Sequence, residues 1–288
     1  MGTRAAARMK HDFSALDDWL EKTWSVKIPK AGQSAPSFTV SVLIPTHRRV
    51  PIGLQAFLDQ DCVSEVLVLA NGDCDIQGEN VIHVPWRGHG RTRQDAVERA
   101  TGDYILFSVD DALPRGNGCV RQLVEGLESG PYDAVTGRQL PWPETAPITQ
   151  ARLAQWTPPG HQTVPWHQVD HVFALYPREM LLKHPLPDVP IAEDLHWSQG
   201  RTVGYVPTAP IVHAHPRKAI ELFRRTRALH VEHCRIGHPP AVPTLASLLR
   251  ALPSALKTSA QYGPRELPNQ LAELLGQWRG SVAAERRL

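Results

Sequence analysis

The stretch Asp103-Tyr-Ile-Leu-Phe-Ser-Val109, running straight into Asp110-Asp111, decides the reading of this chain. Seven residues rich in aliphatic and aromatic side chains predict a buried strand, and two adjacent carboxylates end it. Working outward, Phe38-Thr-Val-Ser-Val-Leu-Ile44 before Pro45-Thr46 predicts another buried strand. A helix is expected around 52–60. Glu65-Val-Leu-Val-Leu-Ala70 predicts a second strand, closed by the turn signal Asn71-Gly72. Val81-Ile-His-Val84 reads as a short third, and 90–100 as a helix closed by Gly102. This alternation predicts an α/β fold with a mainly parallel sheet flanked by helices. Ligands of such folds bind outside the carboxyl ends of the strands. Thr46, Asn71, Asp110 and Asp111 all stand there.

The flanks read differently. Phe13, Leu16, Leu20 and Trp24 have helical spacing, and 31–36 reads as a linker, so 1–36 is expected to be a peripheral leader whose short amphipathic helix packs on the main body. Past 115, strands are expected at 132–136, 169–175, 204–206 and 210–215, and a helix at 192–199. The Pro- and Trp-rich stretch 140–166 has no clear period. Residues 217–235 read as a basic helix, where six Lys and Arg against two Glu leave +4. Two more helical stretches, 245–252 and 267–278, form a C-terminal extension over 236–288.

The 288-residue chain carries 31 Lys and Arg against 29 Asp and Glu, a net charge of +2, which removes the electrostatic case for a nucleic-acid binder. Four scattered cysteines without a C-x-x-C pair argue against a zinc ribbon and fit a reducing compartment. Residues 1–30 contain no apolar signal-peptide core, and no run approaches 18 apolar residues. The expectation is a cytoplasmic protein.

The chemistry-bearing candidates each have a plain structural reading as well. Asp110-Asp111 suits Mg²⁺ or Mn²⁺ bound together with substrate phosphates, or is an exposed pair opening a turn before Pro114. His213 and His215 lie on one face by alternation, as metal ligands or as hydrogen-bonded surface histidines. Glu193-Asp194 complements a helix N-terminus or supplies a general base. Arg91 and Arg93 offer guanidinium forks to a phosphate or a base edge, or are a solvated helix end. Gly88-His-Gly90 does not complete G-x-G-x-x-G, because Arg93 stands at its last position, and no G-K-[ST] is present.

Taken in order, Pro45-Thr46, Asn71-Gly72, Gly90-Arg-Thr-Arg-Gln94, Ala100-Thr-Gly-Asp-Tyr-Ile-Leu-Phe107 with Asp110-Asp111, Ala192-Glu-Asp194, and Gly204-Tyr-Val with His213 resemble the family 2 glycosyltransferases. The resemblance spans about 38–229. Asp111-Ala-Leu-Pro114, Gly137-Arg-Gln-Leu-Pro141 and Phe223-Arg-Arg225 look like the bacterial rhamnosyltransferase branch.

The resemblance implies a GT-A fold with a Rossmann-like sheet over 37–235, its nucleotide-sugar-binding half at 37–115 and its acceptor and catalytic half at 116–235. It implies an inverting transfer from a nucleotide-diphosphate sugar, by similarity dTDP-rhamnose, to a glycan or lipid-linked acceptor in polysaccharide assembly. Thr46 and Asn71 would line the nucleoside pocket, Arg93 would reach the base, and Asp110 the ribose. Asp111, with His213 or His215, would ligate a divalent Mn²⁺ or Mg²⁺. Asp194 would be the catalytic base, and Glu193 would hold a sugar. Val109 and Ala70 stand where the family commonly has acids, which shifts the metal onto Asp111 and the nucleoside contact onto Asn71. Trp142, Trp156 and Trp166 read as platforms for acceptor sugars or as plain aromatic packing. The basic helix would face a polyprenyl diphosphate or the inner membrane surface. Two other classes stay open: a catalytically silent nucleotide-sugar binder, and a metal-dependent phosphohydrolase built on Asp110, Asp111, His213 and His215.

Overall fold

The computed structural model describes residues 13–47, 49–213, 218–238 and 241–285. The chain divides into two compact units, one formed by 1–145 and 149–214, the other by 146–148 and 215–288.

The first unit is built on one sheet. Strands β1 (Val40–Thr46), β2 (Val63–Asn71), β3 (Val81–Val84) and β4 (Tyr104–Ser108) form its parallel half in the order β3-β2-β1-β4. The sheet continues through β8 (Phe173–Pro177), β6 (Ala134–Leu140) and β9 (Val203–Val212) to β5 (Leu113–Pro114), and β7 (Val164–Trp166) also pairs with β9. β8 runs antiparallel to both β4 and β6, while β6 and β9 are parallel. The expected mainly parallel sheet is thus parallel in its nucleotide-side half and mixed beyond it.

Strand alternation sorts the core into two layers. Val40, Val42 and Ile44 point to one face, with Val66, Val68 and Leu106, and meet Phe57 of α2 (Leu54–Leu58) and Val120, Leu123 and Val124 of α4 (Cys119–Glu128). Leu43, Leu69, Ile105 and Phe107 point to the other, where Ala96 and Val97 of α3 (His89–Arg99) and Leu181 of α6 (Arg178–Lys183) cover them. A strand buried on both faces explains why β1, β2 and β4 read as unbroken apolar runs.

Three local expectations change. Residues 204–215 do not make two strands. β9 is continuous over 203–212, and Pro207 sits where its register with β6 shifts between Gly137 and Arg138. A bulge accommodates a residue that cannot donate to the ladder. The 140–166 stretch holds a helix, α5 (Pro147–Trp156), and strand β7. The third concerns only the depth of the leader helix, α1 (Phe13–Trp24), which packs on the body as expected but is fastened into it: Leu16, Leu20 and Trp24 are buried against Leu113, Leu140 and Val212. Arg115 clamps it with two 2.7 Å hydrogen bonds to the Asp17 carboxylate, and buried Arg138 donates to the Trp24 carbonyl at 2.8 Å. That second bond satisfies one of the helix's orphan carbonyls and places positive charge at its negative end.

The second unit contains α8 (Ala219–Arg235), α9 (Leu245–Tyr262) and α10 (Leu267–Glu285), with α8 packed along α10. The basic helix belongs with the C-terminal helices, and within its helical bounds four Arg stand against two Glu. α9 continues through Pro253 well past the expected end at 252. Among the described residues, no helix is long and apolar enough to cross a membrane.

Because Leu20 of α1 is fully buried, Leu20→Ala is expected to cost about 2–5 kcal/mol by leaving a cavity. Urea unfolding of the full chain should show a lower midpoint; an unchanged midpoint would mean that α1 is peripheral after all.

Candidate active site

The carboxyl ends of β1, β2 and β4 lie side by side, with Thr46 in register with Ala70, one residue before Asn71. Asn71 is buried, and its Oδ1 has no hydrogen-bond partner among the described residues. A buried carbonyl without a donor is costly and suits a ligand N–H.

Two residues past β4, the Asp110 carboxylate accepts a 2.7 Å hydrogen bond from the Thr46 hydroxyl. Arg49 lies against both acids, with Nε 3.7 Å from Asp110 Oδ2 and a terminal nitrogen 3.8 Å from Asp111 Oδ2. Adjacent carboxylates here are therefore accompanied by a cation on their own side of the cleft.

Asp111 turns towards the end of β9. His213 Nε2 is 3.3 Å from Asp111 Oδ1, and the His213 backbone N–H donates to the Leu140 carbonyl. The other ring nitrogen lies 3.4 Å from Gln139 Oε1, and the Gln139 amide donates to Asp170 at 2.7 Å. One carboxylate oxygen and one imidazole nitrogen fit Mn²⁺ or Mg²⁺, hard ions that keep waters and substrate phosphates as their remaining ligands. Among the described residues no group of three or more His, Cys, Asp or Glu makes a protein-only cage. His215, the companion expected from sequence, lies outside the described residues.

The acid pair on α7 (Glu193–Trp197) splits into two environments. Arg93, from the first turns of α3, places a terminal nitrogen 2.7 Å from Glu193 Oε1; each side chain is only 6% exposed. His171 Nδ1 is 3.0 Å from the same oxygen, and His171 Nε2 is 2.8 Å from the Tyr176 hydroxyl. Both ring nitrogens of His171 are thereby engaged. Burial alone would raise the Glu193 pKa, but the Arg93 charge and the His171 hydrogen bond outweigh it and hold the carboxyl well below the ordinary range. Asp194 moves the other way. Burial raises its pKa, and the neighbouring Glu193 and Asp170 charges add to the rise against the opposing pull of His171. Its Oδ1 accepts from the Leu195 backbone N–H at 2.8 Å, and its Oδ2 lies 3.5 Å from the His171 N–H. Two adjacent carboxyls pushed apart in pKa is the arrangement in which one acts as a fixed charge and the other as a proton acceptor.

The backbone is strained at this point. Ala192, the residue before the pair, has φ of +65°, a conformation that disfavours a Cβ. Gly90 explains how α3 comes close enough: a Cβ there would stand 2.0 Å from the Pro187 carbonyl oxygen and 3.3 Å from Glu193 Cβ.

Residues 41–163 match the family model described as glycosyl transferase family 2. That segment is similar to the family 2 glycosyltransferases. A comparison with curated proteins finds no match. Among solved structures, a mannosyltransferase from Pyrobaculum calidifontis, PcManGT, in complex with GDP-Man and Mn²⁺, is similar over 98% of this chain and 84% of its own, with 18% identity and a TM-score of 0.50. GalNAc-T7 with UDP, GalNAc and Mn²⁺ matches over 67% of this chain and 48% of its own, at 10% identity and TM-score 0.48. TarS 1–349 of S. aureus in complex with UDP-GlcNAc matches over 86% and 92%, at 13% and 0.43. The fold is GT-A, as the sequence implied.

The site brings together Thr46, Asp110, Asp111 and His213 at one end, and Glu193 and Asp194 with Arg93 at the other. Arg93 is held by Glu193 through one terminal nitrogen and lies 6.0 Å above the Phe107 ring, while its buried Nε has no hydrogen-bond partner among the described residues. Glu193 is likewise committed to Arg93 and His171. Of the three tryptophans, Trp142 packs in the α1 cluster and Trp166 lies against Tyr205, while Trp156 is exposed beside His167. Sequence reading missed Arg49, Gln139, Asp170 and His171. Asp170-His171 carried a signal, since two polar residues interrupt an apolar run that ends at Pro177.

Glu193→Ala strips the acceptor from a buried guanidinium and is expected to destabilise the fold by about 3–5 kcal/mol, read by denaturant unfolding. Glu193→Gln, which keeps the acceptor oxygen, should cost less. As the folded pKa is depressed, this stabilisation is present above about pH 4.3 and is lost as pH falls through the lowered value. An Ala variant as stable as the wild type would remove Glu193 from the framework.

Proposed function

We propose that this glycosyltransferase is inverting and moves a sugar from a nucleotide-diphosphate donor to a hydroxyl of a glycan or lipid-linked acceptor. The observation that carries the reading is the placement of Asp194, a carboxyl of raised pKa, in one polar run with Asp170, Gln139, His213 and Asp111. GDP-Man and Mn²⁺ accompany the similar PcManGT structure, which supports the same classes of ligand here.

Asn71 would accept from the base edge, and Asp110 would receive the ribose hydroxyls while Thr46 fixes its carboxylate. Asp111 and His213 would hold the divalent ion. When bound, that ion supplies charge neutralisation for the leaving diphosphate. Asp194 accepts the proton of the acceptor hydroxyl as its oxygen bonds to the anomeric carbon. The bond from that carbon to the donor phosphate oxygen breaks, and the nucleoside diphosphate leaves with the electron pair. One displacement inverts the anomeric centre, with no covalent sugar–enzyme intermediate. Glu193 keeps its charge throughout and positions Asp194. For the sugar we propose rhamnose, on the strength of Gly137-Arg-Gln-Leu-Pro141 and Phe223-Arg-Arg225.

A base must be deprotonated to work, so kcat/KM should fall as pH drops through the Asp194 pKa. Because that pKa is raised, the fall begins at a higher pH than for an ordinary aspartate of about 3.9. Asp194→Asn should lower kcat by roughly 10²–10⁴ with donor binding kept. Wild-type transfer by this variant would overturn the base assignment, and a wild-type protein that binds donor but transfers nothing to any acceptor would be a silent binder.

Donor and metal are tested without turnover. A nucleotide sugar with Mn²⁺ at a hundredfold excess over Kd should stabilise the protein by about 2.7 kcal/mol, read as a rise in Tm. Asp111→Ala should abolish the Mn²⁺-dependent part of that rise. A chain that no nucleotide diphosphate stabilises is not a nucleotide-sugar enzyme.

A further inference from the structure

The second unit carries a feature that sugar transfer does not use. On α9, Leu245, Leu249 and Leu256 are 52%, 59% and 56% exposed. At 100° per residue these three and the half-buried Leu252 fall within about 60° of arc. The buried positions Leu248, Ala255 and Ser259 lie beside them on the same helix. The apolar sector of α9 is therefore wider than its own unit covers, and the uncovered half is leucine.

Charge says what fits it. α9 contains no Asp or Glu, and Arg250 and Lys257, both exposed, stand one turn-pair apart on the solvent side of the stripe. From residue 215 onward the chain carries twelve Lys and Arg against five Asp and Glu, whereas residues 1–214 carry 19 against 24. The chain's small net charge thus hides a C-terminal unit of +7 and a remainder of −5. A helix with leucines on one face, flanking cations and no acid is built to lie in the plane of a bilayer surface. Its long basic side chains would reach the headgroups while the leucines enter the acyl boundary. A protein partner would meet the leucines equally well, but would give no reason for acids to be missing along the whole helix.

We propose that α9 docks on an anionic lipid surface through Leu245, Leu249 and Leu256, with Arg250 and Lys257 on the headgroups. The inference is independent of the transfer chemistry and of the acceptor.

Vesicle flotation of the full chain tests it. The wild type should float with phosphatidylcholine vesicles containing about 30 mol % phosphatidylglycerol, and far less with phosphatidylcholine alone. Leu249→Glu with Leu256→Glu should weaken binding at least roughly tenfold. Both sites are exposed, so the variant should keep the wild-type thermal unfolding curve. Arg250→Ala with Lys257→Ala, or raising NaCl from about 0.05 to 0.5 M, should weaken the anionic preference. Vesicle binding that survives the double Glu variant overturns the proposal, as does a wild type that floats with neither vesicle. So does sedimentation showing a wild-type dimer that the double Glu variant dissolves, since the stripe would then be a contact between copies.

Discussion

The Glu193–Asp194 end of the site depends on one buried ion pair, Arg93 with Glu193. A guanidinium and a carboxylate at 2.7 Å are both almost shut from water, and neighbouring groups serve part of their remaining hydrogen-bonding capacity, although Arg93 Nε has no partner among the described residues. His171 serves the carboxylate, and Tyr176 serves His171. The pair ties the start of α3 to the start of α7, two elements a hundred residues apart, and Gly90 supplies the close approach this requires. It also explains the strained Ala192, whose positive φ turns the chain so that Glu193 faces inward while Asp194, one residue on, lies in a different environment.

Fixing Glu193 as a permanent charge has a consequence for its neighbour. Placing a second carboxyl beside it, in a poorly hydrated position and near Asp170, raises the energy of the ionised form of Asp194. The same sequence-adjacent pair thus holds one acid that keeps its charge and one whose proton affinity is increased. Polar contacts continue from Asp170 through Gln139 and His213 to Asp111, so the Glu193–Asp194 end and the Asp111–His213 end belong to one connected set of side chains. Such networks gain from mutual polarisation and are costly to leave half-satisfied.

Much of the first unit was legible from the chain. Strands buried on both faces leave unbroken aliphatic runs, and β1, β2 and β4 were visible for that reason, each within a few residues of its bounds. Beyond β4 the signal weakened, because β6 and β9 contain Gly, Pro and Arg whose places are set by a bulge and by the α1 contact. The leader seemed peripheral because its apolar stripe is short; Arg115 and Arg138, far along the chain, are what fasten it.

The sequence by itself determined the order of the chemistry: carboxylates after an apolar strand, a histidine ending another, and an acid pair opening a helix. These are local facts, since strand ends and helix starts are where backbone geometry exposes side chains. Only the tertiary structure decided which of those groups are committed to each other. Arg93, read as a donor to a nucleotide base, is occupied by Glu193, and His171, unremarked in the sequence, joins the acid pair to the core. Partnership between buried charges depends on distances across the sheet and on how completely water is excluded, and neither is written in spacing along the chain.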